Sequence, residues 1–481
     1  LLRSEQILKE LYADQSLLPA HEIERRLPRI LAHDLAGWRE DHPEDRFVVL
    51  VDEYEGAYDD GGVGNVFREN PFDDAVRSLV EQSQATLFAF FLREKLKWAS
   101  IDPKWQKAAG EDRQHLLEGL TKVDAELFLA QSDIQDKAIV AAMVEGATAL
   151  DPKTEAQTCY PIMLDMQVEL YRSLRTAGES VTPQDFRITG NVFGSKRHAL
   201  LGRLLRRYSE QLQATLRPLA AARQFDQDLF EHVLTELKTG QPAGSWSAVR
   251  NISLIMRGDR EGVYTFHNVI REGLAASLSP EEADAAHRAL FHYYRRGMAT
   301  SGSREFGTSE AFAAAEAFHQ ATCLNPKIAC RWWRQASQKF RHRPSSRLIE
   351  AVDFAAATLS VQLYGETSME HARHLNCLAQ NLEGQRRYED AAVMHARVLK
   401  ILHEIGAGDT SEAAWVLCNM GICLDFQKRH VEAEASLRDS LKIRQAKLDP
   451  KHTYVAQSLT ALGMNQSHQK NFVDAERLIR E

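Results

Sequence analysis

Apolar and polar positions change their rhythm three times along the chain. Near the start, FVVLV at Phe47–Val51 and TLFAFFL at Thr86–Leu92 are unbroken apolar runs of strand length. They predict two buried strands. A helix carrying Ile23, Leu27, Ile30 and Leu31 leads into the first, and a helix near Phe72–Gln82 joins the two, which makes them a parallel pair. The first strand runs straight into Asp52 and Glu53, the second reaches Arg93, and the Gly-rich acidic loop YDDGGVGN lies between them. Ligands of such a pair bind where the C-terminal strand ends meet. From Asp112 to Leu129, and again from Ala138 to Leu174, the apolar spacing turns helical, with Pro161 and Pro183 as breaks. Lys196–Leu274 reads as a compact run of helices. SLIMRGDREGVYTFHNVI then supplies two short strands around an Arg-Gly-Asp-Arg-Glu-Gly turn, a winged-helix-like organisation, and residues 275–360 read as helical.

The third rhythm is a long period. YEDAA from Tyr388, HVEAE from His430 and FVDAE from Phe472 align, with 430 − 388 = 42 and 472 − 430 = 42. The same step links Leu375, Leu417 and Leu459, and also Ala379, Gly421 and Gly463. Small residues at the second set let the two helices of a unit approach closely, so the pattern predicts a helix-turn-helix solenoid. NCLAQNLEGQRRYEDA, CNMGICLDFQKRHVEAEASL and LTALGMNQSHQKNFVDAE resemble tetratricopeptide repeats of the longer form found in kinesin light chains. A weaker unit precedes them at RLIEAVDFAAATLSVQLYG.

Composition narrows the function classes. Apolar residues are 44% and charged residues 26% of the 481, ordinary globular usage for a chain long enough for about three domains. Acidic residues outnumber basic ones 67 to 59, so nothing global draws the chain to nucleic acid or anionic lipid. Its six cysteines contain no Cys-x-x-Cys, which fits reduced thiols in a cytoplasmic protein. No apolar run approaches the roughly 18 to 20 residues needed to cross a bilayer. The chain lacks an initiator Met and stops inside a helical pattern at FVDAERLIRE, so it reads as a piece of a longer polypeptide.

The chemistry-bearing segments follow one order. FVVLVDE has the form of a Walker B strand: Asp52 would hold magnesium through its hydration shell and Glu53 would orient an attacking water. The alternative is a buried strand ending in solvated acids. Arg93, at the neighbouring strand end, would sense a terminal phosphate, or else form a salt bridge at an edge. HLLEGLTKVDAELFL resembles the helical subdomain of STAND ATPases, the signal-transduction NTPases with numerous domains, of the NB-ARC and NACHT kind. CYPIML resembles that family's Gly-x-Pro-Leu segment, with Cys159-Tyr160 replacing Gly-Leu. LLRRYSEQLQATLRPLAAARQFDQDLF resembles its winged helix, and VYTFHNVIREGL its closing F-H-D-x-V-R-E signature, with Asn268 in place of Asp. The resemblance implies that Pro161 approaches the base or sugar of ADP and that His267 donates to its β-phosphate. The plain alternative for His267 is a core or helix-capping histidine.

The resemblance implies a mainly α chain with a small α/β part. Residues 1–110 would be the C-terminal part of the nucleotide-binding domain, 111–190 the helical subdomain, 191–280 the winged helix, 281–360 a helical linker and 361–481 the tetratricopeptide repeats. It further implies ADP/ATP with Mg²⁺ in the full-length parent, a protein or peptide partner on the repeats and homo-oligomerisation on activation. The P-loop is missing: no G-x-x-x-x-G-K-[ST] occurs, and GNVFGSKR at Gly190–Arg197 has its glycines one residue too close. This chain alone is therefore expected to hydrolyse ATP poorly or not at all. The rival reading is a non-enzymatic repeat scaffold on a degenerate NTPase region. Lys196, Arg197, His198, Arg203, Arg206 and Arg207 form a basic cluster, read here as a solvated face rather than a DNA contact. Cys323, His319 and Cys330 lack metal-ligand spacing, and Trp332 and Trp333 read as core or hinge contacts.

Overall fold

The computed structural model describes residues 31–481 except 33, 41, 43, 45–46, 53–70, 84–85, 92–95, 97, 111–112, 115–118, 151–155, 253, 259–260, 299–307 and 341–346. The protein is mainly helical with small sheets, and it divides into two compact units. The first comprises residues up to Gln114, Ser301–Ala315 and Pro326–Glu481; the second comprises His115–Thr300 and Glu316–Asn325.

In the first unit, β1 (Phe47–Asp52), α1 (Pro71–Gln82) and β2 (Thr86–Phe91) follow the expected order. The strands pair in parallel, Phe47 opposite Thr86 and Asp52 opposite Phe91. One expectation fails: the strands are not buried on both faces. Val48, Leu50 and Leu87 are 58%, 67% and 63% exposed. Among the described residues the sheet has two strands and one packed face, so its side chains alternate between core and solvent. Val51 and Phe90 turn inward with Val76 and Val80 of α1 onto Trp98, Trp105 and Ala109.

The second unit opens with α2 (Lys122–Gln131) and α3 (Lys137–Ala147), whose N-caps Thr121 and Asp136 accept from the first-turn amides. The helical reading of Ala138–Leu174 is interrupted. A hairpin of β3 (Thr148–Leu150) and β4 (Gln157–Cys159) lies inside it, pairing Thr148 with Cys159. Strands of three residues are too short to register against the helical period. Pro161 therefore starts a helix, α4 (Pro161–Thr176), where its missing N–H costs nothing. Then come α5 (Phe193–Leu205), α6 (Glu210–Leu219) and α7 (Gln227–Leu237). The two short strands expected around the turn are β5 (Ile255–Arg257) and β6 (Tyr264–Phe266), antiparallel with Ile255 opposite Phe266. Phe225 exchanges both backbone hydrogen bonds with Tyr264 at 2.8 Å. Its ring meets Phe266 at 5.2 Å and Trp246 at 6.4 Å, forming the aromatic core. The helices α8 (Asn268–Ala275) and α9 (Pro280–Gly297) follow, the latter entered through a Ser279/Glu282 capping box. Of α10 (Thr308–Leu324), the residues from Glu316 on belong here: Glu316 pairs with Arg223 at 2.7 Å and Gln320 donates to Ala221 O at 3.0 Å.

After these come α11 (Pro326–Ala336), α12 (Arg347–Tyr364), α13 (Met369–Gly384), α14 (Tyr388–Glu404), α15 (Ser411–Phe426), α16 (His430–Lys447), α17 (Thr453–His468) and α18 (Phe472–Arg480). From α13 onward they are a solenoid of helix pairs with the expected 42-residue step, and α12 packs ahead of them as the weaker unit predicted. The periodic small residues do what the sequence requires. A Cβ on Gly421 would stand 2.6 Å from Leu437 Cγ, and one on Gly463 2.8 Å from Ile479 Cγ1. Trp333 is fully buried and donates from Nε1 to Asp353 at 2.7 Å, a core contact.

Candidate functional site

The residues assigned to a nucleotide site divide between the two units. Asp52 closes β1, opposite Phe91 of β2, so the two strands end level. Glu53, Arg93, the YDDGGVGN loop and the helix with Ile23, Leu27 and Ile30 lie outside the described residues, as does the side chain of Asp52.

Pro161 and His267 both belong to the second unit, and their helices are linked through one intermediary. Cys159 ends β4 in the core, and Tyr160 N donates to Ala147 O at 3.0 Å, which aims the Tyr160–Pro161 corner at α5. There the Tyr160 ring meets Phe193 at 4.4 Å. One turn along α5, Arg197 lies 5.8 Å above the Phe193 ring and pairs with Glu272 of α8 at 2.9 Å. The N-cap of α4, Tyr160, and the body of α8 thus share the first two turns of α5. His267 is the N-cap of α8, and its Nδ1 accepts from Val269 N at 3.2 Å. This cap assigns the ring proton to Nε2, so the capping role and a donating role use different nitrogens. A cleft of about 390 Å³ elsewhere in this unit, lined by Arg217, Lys238 and Glu282, includes neither Pro161 nor His267.

Four of the six residues of the basic cluster bond within the unit, while His198 and Arg206 are exposed. Lys196 is buried, and Nζ donates to Glu145 O at 2.8 Å and Thr148 O at 2.6 Å; burial pushes its pKa down and the Glu145 carboxylate only partly restores it. Arg203 donates to Asp185 O and Arg187 O, both at 2.6 Å, and Arg207 pairs with Glu179. These cations close loops and helix ends rather than face a polyanion. The solvated face read from the sequence fits the exposed His198 and Arg206; the carbonyl partners of Lys196 and Arg203 were missed, because no motif encodes them.

In the solenoid, the first helices of successive pairs present a polar and aromatic surface. Arg373 of α13 grips Glu412 of α15 at 3.0 Å. Trp415 and Tyr454 meet edge to face at 5.4 Å, with the Arg444 guanidinium over both rings at 5.9 and 5.4 Å. Arg444 is itself buried and donates to Tyr454 O at 2.6 Å and Ser458 Oγ at 2.8 Å. This cluster was also missed; its one signal is that Arg444 stands where the preceding unit has Leu402, since 444 − 402 = 42.

The family model described as tetratricopeptide repeat matches residues 370–446 and 412–481. This part of the chain consists of tetratricopeptide repeats. Such repeats provide a protein-interaction surface. No curated protein matches the sequence. Among solved structures, BtubC (BKLC) from P. vanneervenii is 17% identical with a TM-score of 0.25, covering 42% of this chain and 89% of that one. A STAND protein with a tetratricopeptide repeat sensor, PH0952 from Pyrococcus horikoshii, is 12% identical with a TM-score of 0.40, covering 95% of this chain and 63% of that one. The apo form of RapI is 15% identical with a TM-score of 0.33, covering 74% of this chain and 75% of that one. The chain thus spans less than two thirds of the STAND protein. All six cysteines are free, and no helix among the described residues is long and apolar enough to cross a membrane.

Proposed function

We propose that the chain is the switch-and-sensor part of a STAND-type signalling protein. The repeats capture a protein or peptide partner, and the upstream region is governed by ADP/ATP exchange with Mg²⁺. The supporting observation is the linkage in the second unit: the ring of Tyr160, next to Pro161, packs at a tilt against Phe193, while Arg197 of the same helix as Phe193 holds Glu272 in the helix that His267 caps. ADP bound against Pro161, with Nε2–H of His267 on its β-phosphate, would bias the relative placement of α4, α5 and α8. In this reading Asp52 holds magnesium, Glu53 orients water, Arg93 senses the γ-phosphate, and partner capture favours an open form that oligomerises in the cytoplasm. Coupling requires the partner to bind the open form more tightly than the closed one.

The test is nucleotide retention by the full-length gene product. ADP released on denaturation is quantified for wild type and for His267→Ala. Wild type should retain about one ADP per chain and the variant at least tenfold less, a loss of about 1.4 kcal/mol of binding. Equal retention removes His267 from the switch. Absence of ADP from both leaves the repeat scaffold as the function.

A further inference from the structure

The 42-residue period allows two successive joints of the solenoid to be compared position by position. At the first joint, Tyr388 and Phe426 stack with ring centroids 4.4 Å apart and planes 8° from parallel. Moving one period on, 388 + 42 = 430 and 426 + 42 = 468, so the equivalent pair is His430 and His468, whose centroids lie 5.7 Å apart. The apolar stack of one joint has become a pair of imidazoles in the next. An acid stands beneath each pair, Glu383 at the first joint and Asp425 at the second, again 42 residues apart.

The two acids are used differently. Glu383 accepts from His395 Nε2 at 2.5 Å and lies 3.7 Å from Cys423 Sγ. His395 has no exposed surface, and burial together with the Glu383 carboxylate pushes the Cys423 thiol far up, so Cys423 stays a thiol and Glu383 is committed to buried partners. Asp425 instead holds both imidazoles of its own joint. Oδ1 lies 2.7 Å from His430 Nδ1, and Oδ2 lies 2.6 Å from His468 Nδ1. Asn465 fixes the carboxylate from behind, donating to Asp425 Oδ1 at 2.7 Å and to His430 O at 3.0 Å. The Asp425 side chain is only 11% exposed, while those of His430 and His468 are 28% and 54% exposed, so the pocket opens on the histidine side.

We infer that Asp425, His430 and His468 form a binding site for a divalent transition-metal ion of the zinc, nickel or cobalt class, clamping the second repeat to the third. Two imidazole nitrogens and one carboxylate oxygen are the donor set such ions take. Their ligand atoms lie within 4.8 Å of one another. Donors around a tetrahedral ion at 2.0–2.1 Å stand roughly 3.3 Å apart, so small side-chain rotations admit the ion in place of the two ring protons. The open side leaves a position for water, and Asn465 acts as the outer partner that orients a ligating carboxylate. The three ligands come from α15, α16 and α17, so the ion would bridge two helix pairs already joined by hydrogen bonds such as Asn465 to Asp425 and Arg444 to Ser458. The proposal is independent of the nucleotide reading.

The test is titration of the metal-free full-length protein with cobalt(II) at neutral pH. One ion per chain should bind with the visible absorption of a tetrahedral N/O site, without a thiolate charge-transfer band, and zinc should displace it. The double substitution His430→Tyr with His468→Phe copies the residues of the preceding joint, so it should fold and lose the absorption. Asp425→Asn keeps the shape of the joint and should weaken binding at least about tenfold. Absence of a stoichiometric tetrahedral signal in wild type overturns the proposal, as does unchanged cobalt affinity in Asp425→Asn or in the double variant.

Discussion

The solenoid and the second unit meet the same difficulty, the backbone groups left over where helices end, but the second unit adds a device to the local turn. In the solenoid each turn closes on itself. Arg386, Lys428 and Lys470, one period apart, take left-handed conformations with φ of 60°, 64° and 67°. The following amides then donate back to the ending helix: Arg387 N to Leu382 O, Arg429 N to Leu424 O and Asn471 N to Gln466 O, at 2.9, 3.0 and 2.8 Å. The second unit also has such turns, with Ile134 N donating to Leu129 O and Glu179 N to Leu174 O, but there long basic side chains in addition reach across sequence, Lys196 to Glu145 O and Thr148 O and Arg203 to Asp185 O and Arg187 O. A local closure is repeated and shared among many turns. A distant one is made once, so much stability rests on a single side chain.

The largest expected effect tests that difference. Lys196→Met keeps the aliphatic stem and removes the ammonium with both of its hydrogen bonds; Thr148 O loses its donor, while Glu145 O keeps the Thr148 amide. At about 1.5–3 kcal/mol for each hydrogen bond to a charged group, the second unit should lose roughly 4 kcal/mol. Urea unfolding followed by peptide-level hydrogen exchange in α3 and α5 measures it. The matching change in the solenoid, Lys428→Met, should stay within about 0.5 kcal/mol, because Lys428 is an exposed residue whose turn is closed by backbone. Similar losses at both sites would break the comparison.

This contrast also explains what could be read from the letters alone. The solenoid announces itself because Gly421 and Gly463 answer to Ala379, and Ala433 and Ala475 to Ala391, at one fixed step. The parallel β1–β2 pair and the β5–β6 hairpin were legible from apolar runs and a turn. The β3–β4 hairpin was not, because three-residue strands carry no period, and the exposed outer face of β1–β2 was hidden because FVVLV reads identically with one face covered or two. Of the nucleotide-site residues, the order of motifs suggested Pro161 and His267, but their linkage through Phe193 and Arg197 depends on tertiary placement. The His430/His468 joint was visible in the alignment of repeats, at positions where aromatic residues precede them, but only the geometry brings Asp425 to both rings.

A second effect, of about 3 kcal/mol, distinguishes the units by pH. Burial holds His374 of α13 down to about 4, helped by the nearby Arg334 and His371. Burial, with Arg223, His287 and Arg271, holds His319 of α10 down to about 4 as well. The fold prefers both rings neutral while the unfolded chain protonates them near pH 6.5. This stabilisation is therefore complete above about pH 6.5 and lost as the pH falls from there towards 4. At 1.36 kcal/mol per unit, His374, only 3% exposed, accounts for about 3 kcal/mol. His319 lies on an exposed helix position and is screened by water, so its share is smaller. Between pH 7 and pH 4 the solenoid should lose more stability than the second unit through these groups, and His374→Leu should flatten the solenoid's profile. A profile unchanged by His374→Leu would place the acid sensitivity elsewhere.

The smallest effect has the opposite sign. An L-residue in the left-handed region costs about 1–2 kcal/mol, and glycine relieves it while losing about 0.5–1 kcal/mol to its greater freedom in the unfolded chain. Lys428→Gly should thus stabilise the solenoid by about 0.5–1 kcal/mol, raising its urea midpoint at unchanged slope. Asp133, just past α2 with φ of 62°, and Lys238, at the C-terminus of α7 with φ of 50°, offer the same gain in the second unit, but not at a fixed step. In the solenoid the gain should repeat, since Arg386→Gly and Lys470→Gly act on equivalent exposed turns far enough apart to share no partners. The triple variant should therefore gain about 1.5–3 kcal/mol, the sum of its parts. A triple gain no larger than a single one would mean that the turns are coupled through the helix pairs between them, and that the solenoid, like the second unit, rests on non-local closures.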